Sequence, residues 1–177
     1  MDEKELIQKA LKDRESFSEI VSLYYKEIFK YIYRRTLDKE LSRDLTQETF
    51  LRALEYLGSF RGTSPFVFWL LRIATNVINA YYRKEIKNNK LLKKSQETYS
   101  EEQNSFPDDT VDYKFIYEYV NELPPREQTV ITLVFFEHKN IKDVALIIGR
   151  AVSTTKKIYY NALKNLKKEM KKNGTNF

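Results

Sequence analysis

Residues 60–83 read FRGTSPFVFWLLRIATNVINAYYR, and the organisation of the chain follows from this stretch. Gly62 and Pro65 mark a short loop, and proline suits the first turn of a helix, where its missing N–H is no loss. The helix that follows carries Trp69, the only tryptophan, in a row that mixes apolar side chains with Arg72, Asn76 and Arg83. Two readings of such a row stand side by side. It is a core helix, or it holds a nucleic-acid strand by its phosphates and stacks its bases on aromatic rings.

Working outward, apolar residues recur at threes and fours in every confident segment, which predicts helices. A short helix spans Lys4–Lys12. Ser16, with Glu19 three residues on, has the form of a capping box for a helix to about Thr36, its inner set being Phe17, Ile20, Val21, Tyr24, Ile28, Tyr31 and Ile32. A third helix runs from near Lys39 to Gly58, a candidate terminating glycine. Its core face reads Leu41, Leu45, Phe50 with Leu51, and Leu54. The Trp69 helix extends to about Lys87. Helices resume at Tyr113–Glu122, stop at Pro124-Pro125, and run again to about His138 with Val130, Ile131, Leu133, Val134 and Phe135 inward. Asn140 caps Ile141–Ile148, Gly149 ends it, and Ser153 caps a last helix to Lys172. The fold class is therefore all-α. No strand and no repeat is expected.

The segment from Asn88 to Thr110 is polar and buries too little to repay its own ordering. It divides the chain into residues 1–87, a linker at 88–110, and residues 111–172. Charge follows the same division. The chain of 177 residues carries a net charge of +6. Residues 83–94 hold six basic residues against Glu85, residues 95–112 hold six acids and no base, and residues 155–172 hold seven lysines against Glu169. Two basic stretches either side of an acidic one suit a polyanionic partner.

Other classes find little support. There is no cysteine, which excludes a disulfide framework and a thiolate metal site and agrees with a reducing cytoplasm. The charged N-terminus lacks the apolar core of a signal peptide, and the longest apolar run, Phe66–Leu71, is far short of a membrane span. No nucleophile–base pair, phosphate-binding glycine loop, metal cluster or cofactor site stands out. The lone His138 reads as a helix-terminal surface residue, so no enzyme is expected.

Two further constellations carry chemistry. The last two helices have the form of a helix-turn-helix, with Ala145 permitting a close crossing. The start of its second helix offers Ser153, Thr154, Lys156, Lys157, Tyr160 and Asn161 to base edges, and Lys164 further along to phosphates. A plain helical hairpin is the alternative. The third helix carries Asp44, Gln47 and Glu48 beside its apolar face, a surface able to dock a basic protein or simply to meet water.

These pieces, in this order, resemble one family over about residues 10–170. The chain is similar to bacterial RNA polymerase sigma factors of the extracytoplasmic-function type, group 4 of the sigma-70 family. Asp44-Leu45-Thr46-Gln47-Glu48-Thr49-Phe50 matches the family's D-L-x-Q-E-x-F signature. The resemblance implies that Asp44, Leu45, Gln47, Glu48 and Phe50 grip the beta-prime clamp helices of core polymerase, with the beta subunit as a further contact. Phe60-Arg61-Gly62 through Trp69-Leu70, Arg72-Ile73-Ala74 and Asn76 matches the F-x-G…W-L-x-R-I-A-x-N pattern of region 2. This implies that Phe60, Arg61, Gly62, Thr63, Ser64, Trp69, Arg72, Asn76 and Arg83 hold the opened −10 element. Leu123-Pro124, Glu127 and the helix-turn-helix match region 4, which implies −35 reading.

The residues also depart from the family pattern. Ala80 stands where many members have Asp. Arg150, Thr155, Lys157 and Asn161 are unusual around the recognition helix, so no relative's −35 preference carries over. The resemblance further implies that the acidic linker threads the polymerase, and that the protein works in the cytoplasm without a small-molecule substrate. An anti-sigma factor, the usual occupant of the cleft between the two domains, would be a further partner and would offer a route to retention at the membrane. The rival readings are an autonomous helix-turn-helix regulator and a helical interaction module.

Overall fold

The computed structural model describes residues 3–91 and 114–172, and every regular element among them is helical. The helices are α1 (Glu3–Lys12), α2 (Phe17–Thr36), α3 (Lys39–Tyr56), α4 (Phe66–Leu91), α5 (Lys114–Asn121), α6 (Pro125–Ile131), α7 (Ile141–Ile148) and α8 (Val152–Lys172). The all-α expectation holds. The 88–110 linker expectation falls mostly outside the described residues, except that α4 continues to Leu91, past the expected Lys87.

The first four helices close around a core in which Ile20, Ile28, Tyr31 and Ile32 of α2 meet Leu45 and Ala53 of α3. Leu70, Leu71, Ala74, Val77 and Ile78 of α4 complete it. Tyr31 is fully buried, so its hydroxyl needs a partner, and it lies 2.8 Å from the hydroxyl of Thr75 on α4. A second cluster unites Tyr117, Val120, Leu123, Ile131, Phe136 and Ala162.

Several helix ends differ from expectation. Ser16 does not form a capping box. A short 3₁₀ turn at Arg14–Ser16 gives Ser16 helical angles, and its hydroxyl donates to Asp13. Asp13 is the cap, and Glu19 accepts from Lys9 Nζ at 2.6 Å instead. Gly58 sits inside a 3₁₀ turn, Leu57–Ser59, and has no positive φ. The last helix begins one residue before Ser153, with the amide of Thr155 donating to the carbonyl of Ala151.

The largest difference lies after α6. Residues Thr132–Phe136 form a π turn, with the Glu137 amide donating to the Thr132 carbonyl. One extra residue per turn rotates everything after it by roughly one residue's arc. Phe135, expected inside, is therefore 48% exposed, and Phe136 takes its place in the core.

The two halves are packed together. Val130, Leu133, Val144 and Ile147 of the C-terminal half join the N-terminal core. At the end of α2, Arg34 and Arg35 are 5% and 1% exposed. Arg34 donates to the Phe136 carbonyl at 2.8 Å and to Glu137 Oε1 at 2.6 Å. Arg35 donates to the Thr129 hydroxyl at 2.7 Å and Gln128 Oε1 at 3.1 Å. Burial pushes the Glu137 carboxyl above its ordinary value, against the lowering pull of Arg34.

Candidate nucleic-acid interface

The loop Phe60–Ser64 has a rigid base and an open tip. Phe60 is half-buried, edge-on to Phe66 at 5.0 Å between ring centroids and 5.6 Å from Trp69. Phe66 and Trp69 lie 5.2 Å apart, and Tyr24 of α2 backs Phe66 at 5.6 Å. Edge-to-face and tilted arrangements at these separations are the favoured ones for aromatic pairs. Above this base the chain turns through Gly62 at φ 66°, a left-handed conformation that glycine adopts without penalty. Arg61, Gly62 and Thr63 are exposed and Ser64 is half-buried. Neither hydroxyl has a hydrogen-bond partner among the described residues, so both remain available to a ligand. Trp69 belongs to the loop's foundation more than to its surface.

On α4, Arg72, Asn76, Asn79 and Arg83 fall at helical spacing and form a single stripe, while the apolar residues between them face the core. Arg83 Nε donates to the Asn79 carbonyl at 3.2 Å, fixing its direction. The stripe lines a cleft of about 630 Å³ whose opposite wall is Arg126, Ile147, Arg150, Ile158 and Asn161. The structure thus brings Arg72, Asn76 and Arg83 to the same opening as Asn161, a juxtaposition no spacing in the sequence suggests. Gly149, at φ 65°, ends α7 against Arg72, and a Cβ there would lie 1.9 Å from Arg72 Nη2.

The helix-turn-helix is formed by α7 and α8. Asn140 caps α7, accepting from the amides of Lys142 at 2.9 Å and Asp143 at 3.0 Å. Val144, Ala145, Thr155 and Ala162 are buried between the helices and their supports. Thr155 is fully buried, and its hydroxyl is satisfied by donating back to the Ala151 carbonyl at 3.0 Å. Ser153, Thr154, Lys156, Lys157, Tyr160, Asn161 and Lys164 are all exposed.

On α3, Asp44 and Gln47 are exposed and Glu48 is half-exposed, paired to Arg52 at 2.5 Å. Leu45 and Phe50 are not on this surface. At 3% and 5% exposure they pack the protein's own core, a correction that follows from their position about a third of a turn away. Leu51, expected inside, is 67% exposed and lies on the Asp44–Glu48 stripe. Its seven-residue spacing from Asp44 was the available signal.

A charged recognition helix, a loop with free donors on an aromatic base and an acidic helix face define a two-part, all-α nucleic-acid-binding factor. Comparison with known proteins specifies it. Residues 20–87 match the family model for Sigma-70 region 2, and residues 119–168 match that for Sigma-70, region 4. RNA polymerase sigma factor YlaC of Bacillus subtilis is 32% identical over 169 residues, covering 92% of this chain and 96% of the relative. ECF RNA polymerase sigma factor SigM of the same organism is 27% identical over 153 residues, covering 86% and 93%. The chain belongs to the sigma-70 family of RNA polymerase sigma factors, in its extracytoplasmic-function group.

Solved structures share the fold. A complex of CnrH with the cytosolic domain of CnrY matches with a TM-score of 0.65 at 17% identity, covering 94% of this chain and 95% of that one. The sigma factor RpoE, crystallised with the anti-sigma factor NepR from Bartonella quintana, matches with a TM-score of 0.66 at 21% identity, covering 89% and 98%. The protein is thus a transcription initiation factor and not an enzyme, and its partners are core RNA polymerase and promoter DNA. The autonomous-regulator reading is set aside. Among the described residues no helix is long and apolar enough to cross a membrane.

Proposed function

We propose that residues 1–87 bind core polymerase and the −10 element, that residues 111–172 read the −35 element, and that residues 88–110 join them. The observation that carries this reading is the Phe60–Ser64 loop, which sets unpartnered hydroxyls and a left-handed glycine on a fixed aromatic base. A base leaves the stack at a cost of a few kcal/mol. It is retained by a pocket with a rigid floor and by donors and acceptors at its edge. Thr63, Ser64 and the Gly62 backbone supply the edge, and Arg61, Arg72 and Arg83 neutralise the strand's phosphates, with Asn76 steering it. Stacking returns about 1–3 kcal/mol per base, so a few trapped bases hold a bubble open only on a larger scaffold. That dependence on scaffold is the physical role of core polymerase.

The docking face for core is Asp44, Gln47, Glu48 and Leu51. Carboxylates at its edge steer a basic partner, and Leu51 supplies apolar contact. Leu45 and Phe50 hold this helix in place from beneath. In the second half, Lys156, Lys157 and Asn161 meet base edges, Ser153, Thr154 and Tyr160 lie beside them, and Lys164 meets phosphate. An anti-sigma factor is a third partner, supported by the complex of the structural relative RpoE with the anti-sigma factor NepR. A cytoplasmic place of work, with retention at the membrane through such a partner, follows from the same reading.

The deciding experiment is transcription from a promoter library with purified protein and core polymerase. Specific initiation only when both are present is the expected outcome. Tight duplex binding by the protein alone, without polymerase-dependent initiation, would overturn the reading.

A further inference from the structure

Glu3, in the first turn of α1, lies outside the residues 20–87 that match Sigma-70 region 2. Its carboxylate nonetheless accepts a hydrogen bond from the hydroxyl of Tyr24 on α2. α1 has ten residues, too few for a helix to persist in water by itself, so its place depends on what it touches. Leu6, Ile7 and Ala10 are buried in the N-terminal core. Lys9 pairs with Glu19 of α2 at 2.6 Å. Glu3 meeting Tyr24 and Lys9 meeting Glu19 lay α1 antiparallel along the start of α2.

Tyr24 is half-buried, and a phenol in that position needs an acceptor. A carboxylate is a stronger acceptor than a neutral group. Burial, and then the Glu3 bond, raise the Tyr24 phenol above its ordinary value, so the hydroxyl keeps its proton and remains a donor. The bond fixes the outer end of the ring. The ring itself packs on Phe66 at 5.6 Å between centroids, tilted by 52°. Phe66 is wholly buried at the start of α4, and it meets Phe60 edge-on at 5.0 Å and Trp69 at 5.2 Å. Phe60 in turn opens the −10 loop. Close-packed rings do not shift singly, because a movement of one is passed to its neighbours.

We infer that α1 is a strut for the −10 loop, acting through the Glu3–Tyr24 hydrogen bond and the ring series Tyr24, Phe66, Phe60. Glu3 and Tyr24 are positioning residues, which act on the strand through Phe60. The inference rests on the reading of Phe60–Ser64 as the loop that holds the −10 element, and it adds to that reading a helix from outside the matched region.

The test uses the full chain, alone and assembled with core polymerase. Trp69 is the only tryptophan, so its emission reports the foundation of the loop directly. Holoenzyme affinity for a labelled single strand of a selected −10 element is read by anisotropy, well below the melting temperature of every variant, where lost stability alone leaves affinity unchanged. Tyr24→Leu removes the ring contact. It should weaken strand binding about two- to tenfold, the range carried by one aromatic pair, and shift Trp69 emission, while the −35 footprint stays as in the parent. Tyr24→Phe and Glu3→Ala should each weaken the strand by less, and the double variant no further than either alone, because both delete one bond. Glu3→Ala changes only a half-buried side chain in the first turn of α1 and serves where Tyr24→Leu fails to fold. A folded Tyr24→Leu with parental strand affinity or parental Trp69 emission overturns the strut. Additive effects of Tyr24→Phe and Glu3→Ala overturn the role of the bond. Arg61→Ala is the control for the loop itself. If it binds the strand as the parent does, the −10 reading fails, whereas the Trp69 shift still decides the strut.

Discussion

Replacing Phe60 separates two roles that one aromatic ring could play at the −10 loop. The ring is half-buried and touches Phe66 and Trp69 at 5.0 and 5.6 Å. Each such pair is worth about 0.5–1.5 kcal/mol beyond area burial. Truncating a fully buried Phe costs about 3–5 kcal/mol, and a half-buried one roughly half of that. Phe60→Ala should therefore lower unfolding free energy by about 1.5–2.5 kcal/mol, read from urea titration of the purified chain. It should also free Arg61–Ser64 from their anchor. Re-ordering even one backbone residue costs about 1–2 kcal/mol, so holoenzyme should bind a labelled single strand of a selected −10 element at least tenfold more weakly. Phe60→Leu keeps most of the apolar contact and should retain both stability and strand affinity within a few-fold. If Phe60→Leu is stable but loses the strand as badly as alanine, the ring itself stacks on a base, and the anchoring argument fails.

Three more outcomes are expected. Asp44→Lys with Glu48→Lys should abolish co-purification with core polymerase while circular dichroism stays unchanged, because the Glu48–Arg52 surface pair it breaks is worth at most about 0.5 kcal/mol. Lys156→Ala with Lys157→Ala should weaken −35 reading by about 1–3 kcal/mol per lost base contact, and an unaltered footprint there would count against the recognition helix. Glu137 should make stability depend on pH. Its carboxyl is raised by burial, lowered by Arg34, raised again by Glu27 and lowered by Lys139. A carboxyl raised in the folded state holds its proton more tightly there, so stability falls as pH climbs from the ordinary carboxylate value through the raised one. Thermal melts across that range should show the slope, and Glu137→Gln should flatten it.

Much of this architecture is legible in sequence because helices announce themselves by period. The inner residues of α2, such as Ile20, Ile28 and Ile32, and the Asn140 and Gly149 boundaries of α7 follow from spacing and capping chemistry alone. What escapes is whatever depends on phase or on a distant partner. Leu51 adjoins the buried Phe50, yet a helix turns about 100° per residue, and the core side of α3 at this point is taken by Thr49 and Phe50, which leaves Leu51 outside. Phe135 and Phe136 exchange places because of a π turn that no local propensity marks. Arg34 and Arg35 look like an ordinary basic helix end, which the helix dipole favours. Their burial depends on contacts about a hundred positions away. The motif marks the loop Phe60–Ser64, but that Phe60 anchors while Thr63 and Ser64 stay free is visible only in space.

The π turn at Thr132–Phe136 also bears on how this chain tolerates change in length. It holds one residue more than a regular helix needs, and that surplus sets which ring turns inward and which carbonyl meets Arg34. Deleting a single residue there would restore a tidy helix and would change few side chains. It would also rotate the segment leading to Lys139 by about 100°, carrying the Phe136 carbonyl and Glu137 away from their arginine. A deletion that improves local regularity would therefore disconnect two halves, and tolerance to insertions and deletions should be far lower in these five positions than their modest composition suggests.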